Sequence, residues 1–152
     1  MPALSKSSIT ILLVEDDPAD QELTRRAFEE GRILNRLEIV DDGLQALEYL
    51  RQTGRYSEPG SAPRPDLVLL DLNLPGLDGR EVLKAIRADP ELQLIPVVAL
   101  TTSRAEQDVI ETYEAGVNSY ITKPLAMDDF VQLLRSLERY WFEVVKLPPH
   151  RT

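Results

Sequence analysis

The sequence predicts a doubly wound α/β fold, a five-stranded parallel sheet with helices on both faces. Three observations predict it. Apolar runs of strand length alternate with segments of helical periodicity along the chain. The run Leu67 to Leu70 is apolar at every position, as a strand buried on both faces of a parallel sheet must be. That run ends in a carboxylate, Asp71, just before the turn signal Pro75-Gly76. Right-handed crossovers between successive parallel strands then distribute the helices over both faces.

Taken in order, Ile9 to Val14 reads as the first strand, and Glu15-Asp16-Asp17 follows it. Pro18 occupies the first helical position that proline favours, with Asp17 as N-cap. Leu23, Ala27 and Phe28 give that helix its apolar side until Gly31. Leu37 to Val40 is a second strand, Asp41-Asp42-Gly43 a turn, and Ala46, Leu47 and Leu50 the inner face of a helix ending near Gly54. Pro59, Gly60, Ser61, Pro63 and Pro65 make 55–65 an irregular surface connector. The third strand leads to a helix marked by Val82, Leu83, Ala85 and Ile86 and ended by Asp89-Pro90. Ile95 to Leu100 is the fourth strand, Ala105 to Ala115 the fourth helix and Ser119 to Thr122 the fifth strand. A last amphipathic helix carries Phe130, Leu133, Leu134, Leu137, Trp141 and Val144 at helical spacing and stops before Pro148-Pro149. The expected organisation is a loosely attached tail over 1–8, one domain over 9–147 and a short tail over 148–152.

Composition narrows the function classes. The chain has 152 residues, of which 43% are hydrophobic and 28% charged, a balance usual for one soluble domain. No apolar run approaches the roughly 18 residues of a membrane span, and the N-terminus lacks the apolar stretch of a secretory signal. A cytoplasmic location is the expectation, and the absence of cysteine agrees with it. A net charge of -9 disfavours binding to a phosphate backbone, so nucleic acid is not an expected direct partner.

Five strands favour the order 2-1-3-4-5, the flavodoxin-like arrangement, in which strands one and three are neighbours at the switch point. That adjacency brings Glu15 and Asp16 beside Asp71 at the edge where open α/β sheets bind ligands. Clustered carboxylates repel one another and call for a cation. Their oxygens, a backbone carbonyl near Asn73 and room for water describe an octahedral magnesium site. Thr101 and Lys123 follow the fourth and fifth strands on the same rim, the lysine being a point charge suited to phosphate. The set reads as phosphoryl chemistry on a carboxylate. Singly, each residue has an ordinary explanation as a turn, a cap or a solvated strand end. Their coincidence on one edge does not.

The chain resembles the receiver domains of two-component response regulators. The matching pieces are Val14-Glu15-Asp16-Asp17, Leu70 to Gly79, Leu100-Thr101-Thr102 and Tyr120-Ile121-Thr122-Lys123-Pro124, in family order and spacing, and the likeness runs from about Ile9 to Leu137. It implies that Asp71 is the phosphoacceptor and that Asp16 and Asp71 are side-chain ligands of Mg2+, with Glu15 acting through a water and Asn73 through its backbone carbonyl. It further implies that Lys123 and Thr101 meet the phosphoryl oxygens, that the Lys123–Pro124 peptide is cis, and that Thr101 and Tyr120 form the pair that switches on phosphorylation.

Two features resemble the small stand-alone regulators that partner phytochrome-type histidine kinases: the long proline-rich loop Tyr56 to Pro65 and the extension Arg139 to Pro149. A sensor histidine kinase of phytochrome type is therefore the expected partner. Tyr140, Trp141 and Phe142 are consecutive, so they cannot all face a core, and the remainder imply a homodimer formed through the last helix and its extension. With no second domain after Thr152, the expected output is a protein contact. Competing readings are weaker. An aspartate-nucleophile phosphatase of the haloacid dehalogenase type would carry Asp-x-Asp after its first strand, whereas here Asp71-Leu72-Asn73 follows the third. A nucleotide-binding module would need glycine spacings absent from the chain. A receiver that binds a partner without phosphorylation would not need the acid, threonine and lysine set.

Overall fold

The protein is described by a computed structural model over residues 9–30, 35–101, 116–117 and 119–122, with single helical positions at Gln132 and Arg135. The elements are β1 (Ile9–Val14), α1 (Pro18–Glu30), β2 (Asn35–Val40), α2 (Gly43–Arg51), a single 3-10 turn (Gly54–Tyr56), β3 (Leu67–Asp71), α3 (Gly79–Ala88), β4 (Val97–Thr101) and β5 (Ser119–Thr122). The strands are parallel and run in the order β2-β1-β3-β4-β5. Flanked by β1 and β4, β3 is buried along its whole length, which is why its sequence lacks the alternation of a half-exposed strand.

Alternate residues of the strands divide the core in two. Leu12, Val14, Val68, Leu70, Val97 and Ala99 pack with residues of α2 and α3 on one face, among them Leu47, Leu50, Val82 and Ile86. On the opposite face Ile11, Leu13, Leu67, Leu69, Val98 and Leu100 pack with Ala27 and Phe28 of α1. Burying each such aliphatic side chain contributes roughly 1.5–3 kcal/mol, and a one-residue slip of any strand would exchange its two faces. The same register that fills both cores therefore fixes which residues stand at the ends of the strands.

Element ends depart from the sequence reading in ways with local causes. Pro96 has no N–H to give a ladder, so β4 begins at Val97 rather than Ile95, while the Pro96 carbonyl accepts from Val68 N–H at 3.0 Å. β2 begins at Asn35, because pairing with β1 extends down to Ile9. Helix α2, capped by Asp42 Oδ1 on Gln45 N–H at 2.7 Å, ends at Arg51 and not near Gly54. Its stop is Gln52, held in the left-handed region at φ 57°, where its side-chain amide donates to Ala62 O at 2.9 Å. The expected Asp17 cap of α1 is present, with Asp17 Oδ1 accepting from Ala19 N–H at 2.9 Å.

The proline-rich connector lies folded against α2. Ala62 and Pro65 are buried, the Tyr49 hydroxyl donates to Pro63 O at 2.8 Å, and the Tyr49 and Tyr56 rings meet edge to face with centroids 5.1 Å apart. Across the molecule, Arg87 at the end of α3 donates to three backbone carbonyls: Gly116 at 2.7 Å, Ile95 at 2.7 Å and Gln93 at 2.9 Å. One guanidinium thus joins α3 to the segments entering β4 and β5. Burial pulls its pKa down from the usual arginine value.

Replacing Arg87 with Met keeps the stem and removes all three donors, so the urea midpoint is expected to fall with an unchanged slope, a loss of about 2–3 kcal/mol. An unchanged midpoint would show that the carbonyls are satisfied without it. Burial, with a smaller contribution from Glu38, raises the Tyr49 phenol above the usual tyrosine range. The unfolded phenol ionises first as pH rises, so this part of the stability is complete below about pH 10 and is lost above it. Tyr49→Phe is expected to flatten the stability profile above that pH, as read by denaturation across an alkaline series; a profile parallel to wild type would contradict the assignment.

Candidate functional site

Strand register assembles the site. Val14 pairs with Leu70, and Asp71 pairs with Leu100 of β4. The residue after β1 is therefore level with the last residue of β3, at the C-terminal edge of the sheet. One carboxylate oxygen from each of Glu15, Asp16 and Asp71 lies within 4.8 Å of the others. Glu15 and Asp71 are buried, with 1% and 5% of their surface exposed, whereas Asp16 is open to solvent. Three negative charges at that separation repel by on the order of 3 kcal/mol per pair at an effective dielectric near 20.

Backbone contacts fix the two buried acids. Glu15 N–H donates to Val40 O at 3.1 Å and its carboxylate accepts from Asp17 N–H at 3.2 Å. Asp71 Oδ1 accepts from Asn73 N–H at 2.9 Å, and the Leu72 N–H following it donates to Leu100 O at 2.9 Å. The loop after Asp71 closes tightly onto helix α3, with Gly79 N–H donating to Leu72 O at 3.2 Å. A Cβ at Gly79 would stand 2.6 Å from Leu72 Cα and would collide with the Asp71 carbonyl oxygen. Only glycine lets the first turn of α3 approach the back of the Asp71 peptide. At the mouth of the helix, Asp78 N–H donates to Glu81 Oε1 at 3.3 Å.

The donor set is all oxygen, with two buried carboxylates and one exposed, and this suits a hard divalent cation that keeps part of its hydration shell. Among the sequence-predicted site residues, the structure brings Glu15, Asp16 and Asp71 together and places Asn73 in the same loop with its N–H on Asp71. Thr101 closes β4 and Tyr120 stands in β5, where Thr101 pairs with Thr122. The side chains of Thr101 and Tyr120 lie outside the described residues, as do Lys123, Pro124, Tyr140, Trp141 and Phe142.

Two contributors escaped the sequence reading. Gly79 entered only as the last residue of the matched stretch Leu70 to Gly79, although a glycine at the opening of a helix is a signal of close backbone approach. Gln21 is on α1, and its side-chain amide donates to Glu15 O at 2.6 Å and to Asp41 Oδ1 at 2.8 Å. No spacing rule connects a glutamine with a carbonyl before its own helix and a carboxylate after the next strand.

Known proteins share this fold. Residues 11–135 match the response regulator receiver domain. The response regulator Rcp1 of Synechocystis sp. is 48% identical over 138 residues, covering 91% of this chain and 92% of Rcp1. The crystal structure of the phosphorylated cyanobacterial phytochrome response regulator RcpA superposes with a TM-score of 0.83 at 44% identity, covering 93% of this chain and 99% of that one. The Mn2+-bound form of Rcp1 superposes with a TM-score of 0.80 at 47% identity, over 93% and 99% of the two chains. With its acids, its sheet order and its sequence all in agreement, this chain belongs to the response regulator receiver domain family.

Proposed function

We propose that this protein is a response regulator that takes a phosphoryl group from a histidine kinase onto Asp71 in the presence of Mg2+, and signals by changing the surface it offers to other proteins. The observation that carries this reading is the meeting of Glu15, Asp16 and Asp71 at the end of the central strand. A likeness to RcpA, a phosphorylated phytochrome response regulator, and to Mn2+-bound Rcp1 supports both the chemistry and a phytochrome-type kinase as the donor.

Asp71 supplies the nucleophile. Its carboxylate oxygen attacks phosphorus in line, the bond from phosphorus to the kinase histidine breaks, and the imidazole leaves with the electron pair and takes up a proton. Asn73 N–H on Asp71 Oδ1 orients the carboxylate for the attack. Asp16 and Asp71 are the direct side-chain ligands in this reading, Glu15 acts through a water, and the Asn73 carbonyl completes the protein's share. When bound, Mg2+ offsets the negative charge of the three carboxylates and of the incoming phosphoryl oxygens. Lys123, before a cis peptide to Pro124, pairs with a phosphoryl oxygen and Thr101 donates to another.

The switch follows from the same contacts. Thr101 turns toward the new phosphoryl group, and Tyr120 occupies the space it vacates, so the surface carried by β4, β5 and the elements after them settles into a second state. Homodimer formation through the last helix, with Tyr140, Trp141 and Phe142 at the contact, gives that surface a partner in a second copy of the chain. The protein works in the cytoplasm, with neither nucleic acid nor membrane as a direct partner. Among the described residues, no helix is long and apolar enough to cross a membrane.

Incubation with acetyl phosphate and MgCl2 is expected to add one phosphoryl group to the wild type and none to Asp71→Asn, as read by intact-protein mass spectrometry; labelling of the variant would overturn the assignment of Asp71. In the unphosphorylated protein, Mg2+ is expected to relieve the carboxylate repulsion and, by binding the native state, to stabilise it by about 2.7 kcal/mol at a hundredfold excess over Kd, read as a rise in the thermal midpoint. A midpoint indifferent to the ion would count against the metal site.

A further inference from the structure

The ligand loop after β1 is held from two sides. On one side, the Glu15 N–H is tied to the end of β2 through Val40 O at 3.1 Å. On the other, the Glu15 carbonyl accepts from Gln21 Nε2 at 2.6 Å, and the second N–H of that amide goes to Asp41 Oδ1 at 2.8 Å. Asp41 is itself anchored, because its N–H donates to Gln45 Oε1 at 2.9 Å while the Gln45 amide donates to Tyr56 OH at 2.8 Å. Two glutamine side chains thus link the acid loop to the turn before α2, and that turn to the start of the proline-rich connector.

We propose that Gln21 is a positioning residue for the divalent cation: its amide, braced by Asp41, holds the Glu15–Asp16 peptide so that both carboxylates aim at Asp71. This rests on the metal site described under the proposed function. A carbonyl oxygen at Glu15 is the acceptor end of the peptide whose N–H belongs to Asp16, so fixing it fixes the plane from which the exposed ligand departs. Asp16 is open to solvent, and backbone placement limits the directions its side chain can take. A primary amide suits the task because it carries two donors, one for the carbonyl and one for the carboxylate that holds the amide in place. Groups that orient a ligand in this way commonly change metal affinity by about 10–100-fold when removed.

Isothermal titration calorimetry with MnCl2 on the full chain tests the proposal. Gln21→Met keeps the length of the side chain and removes both donors, and its Kd is expected to rise about tenfold while the thermal midpoint of the metal-free protein stays near wild type, since Gln21 is partly exposed on α1. Asp41→Asn removes the charge and retains the acceptor oxygen, so its Kd is expected near wild type. Asp41→Ala is expected to weaken binding as Gln21→Met does, and the double variant Gln21→Met with Asp41→Ala to be no weaker than the first alone. A wild-type Kd in Gln21→Met overturns the proposal, as does a loss in Asp41→Asn equal to that in Asp41→Ala, which would make the effect one of charge. Absence of binding by the wild type itself would instead overturn the metal site.

Discussion

Mutual repulsion among three carboxylates is the constraint that organises this molecule. Nothing in the packing of the core asks for Glu15 and Asp71 to be acids; both are buried at strand ends where an apolar residue would be cheaper. The chain tolerates them because backbone N–H groups from Asp17 and Asn73 reach them and because their oxygens, with that of Asp16, form a set a small hard cation can satisfy. The fold stores an electrostatic demand at one edge of the sheet. That demand makes the site responsive to a divalent ion and to the phosphoryl charge that would follow it.

Each layer of the structure serves the placement of those acids. The two cores set the strand register, and the register brings the residue after β1 level with the end of β3. Gly79 lets α3 press against the Asp71 peptide, and Gln21 ties the opposite loop to the end of β2 and the turn that follows. Arg87 joins the end of α3 to the backbone entering β4 and β5, the strands that carry Thr101 and Tyr120. Stability and function share these contacts, so a change that loosens one of the ties is expected to be felt at the ligands before it is felt in the core.

Much of this was legible in the sequence because it depends on patterns with a short period. The apolar run Leu67 to Leu70 identified a central strand, Asp17-Pro18 a helix start, and the acids at two strand ends an oxygen cluster suited to a cation, which the structure brings together. Element ends were less legible. Pro96 moved the start of β4, and Gln52 stopped α2 in the left-handed region because a contact with Ala62, across the proline-rich loop, holds it there. Gln21 and Arg87 were invisible for a related reason: each donates to backbone carbonyls brought near by tertiary structure, and a carbonyl leaves no mark on the sequence.

The central claim is that Asp16 and Asp71 are drawn to one divalent ion. Anomalous diffraction at the manganese edge from crystals grown with MnCl2 and beryllium fluoride, a mimic of the phosphoryl group, addresses it directly. The expected result is one strong peak between the Asp16 and Asp71 carboxylates and the Asn73 carbonyl, with the fluoride adduct on Asp71. A peak elsewhere on the molecule, or an adduct on another carboxylate, would contradict the account.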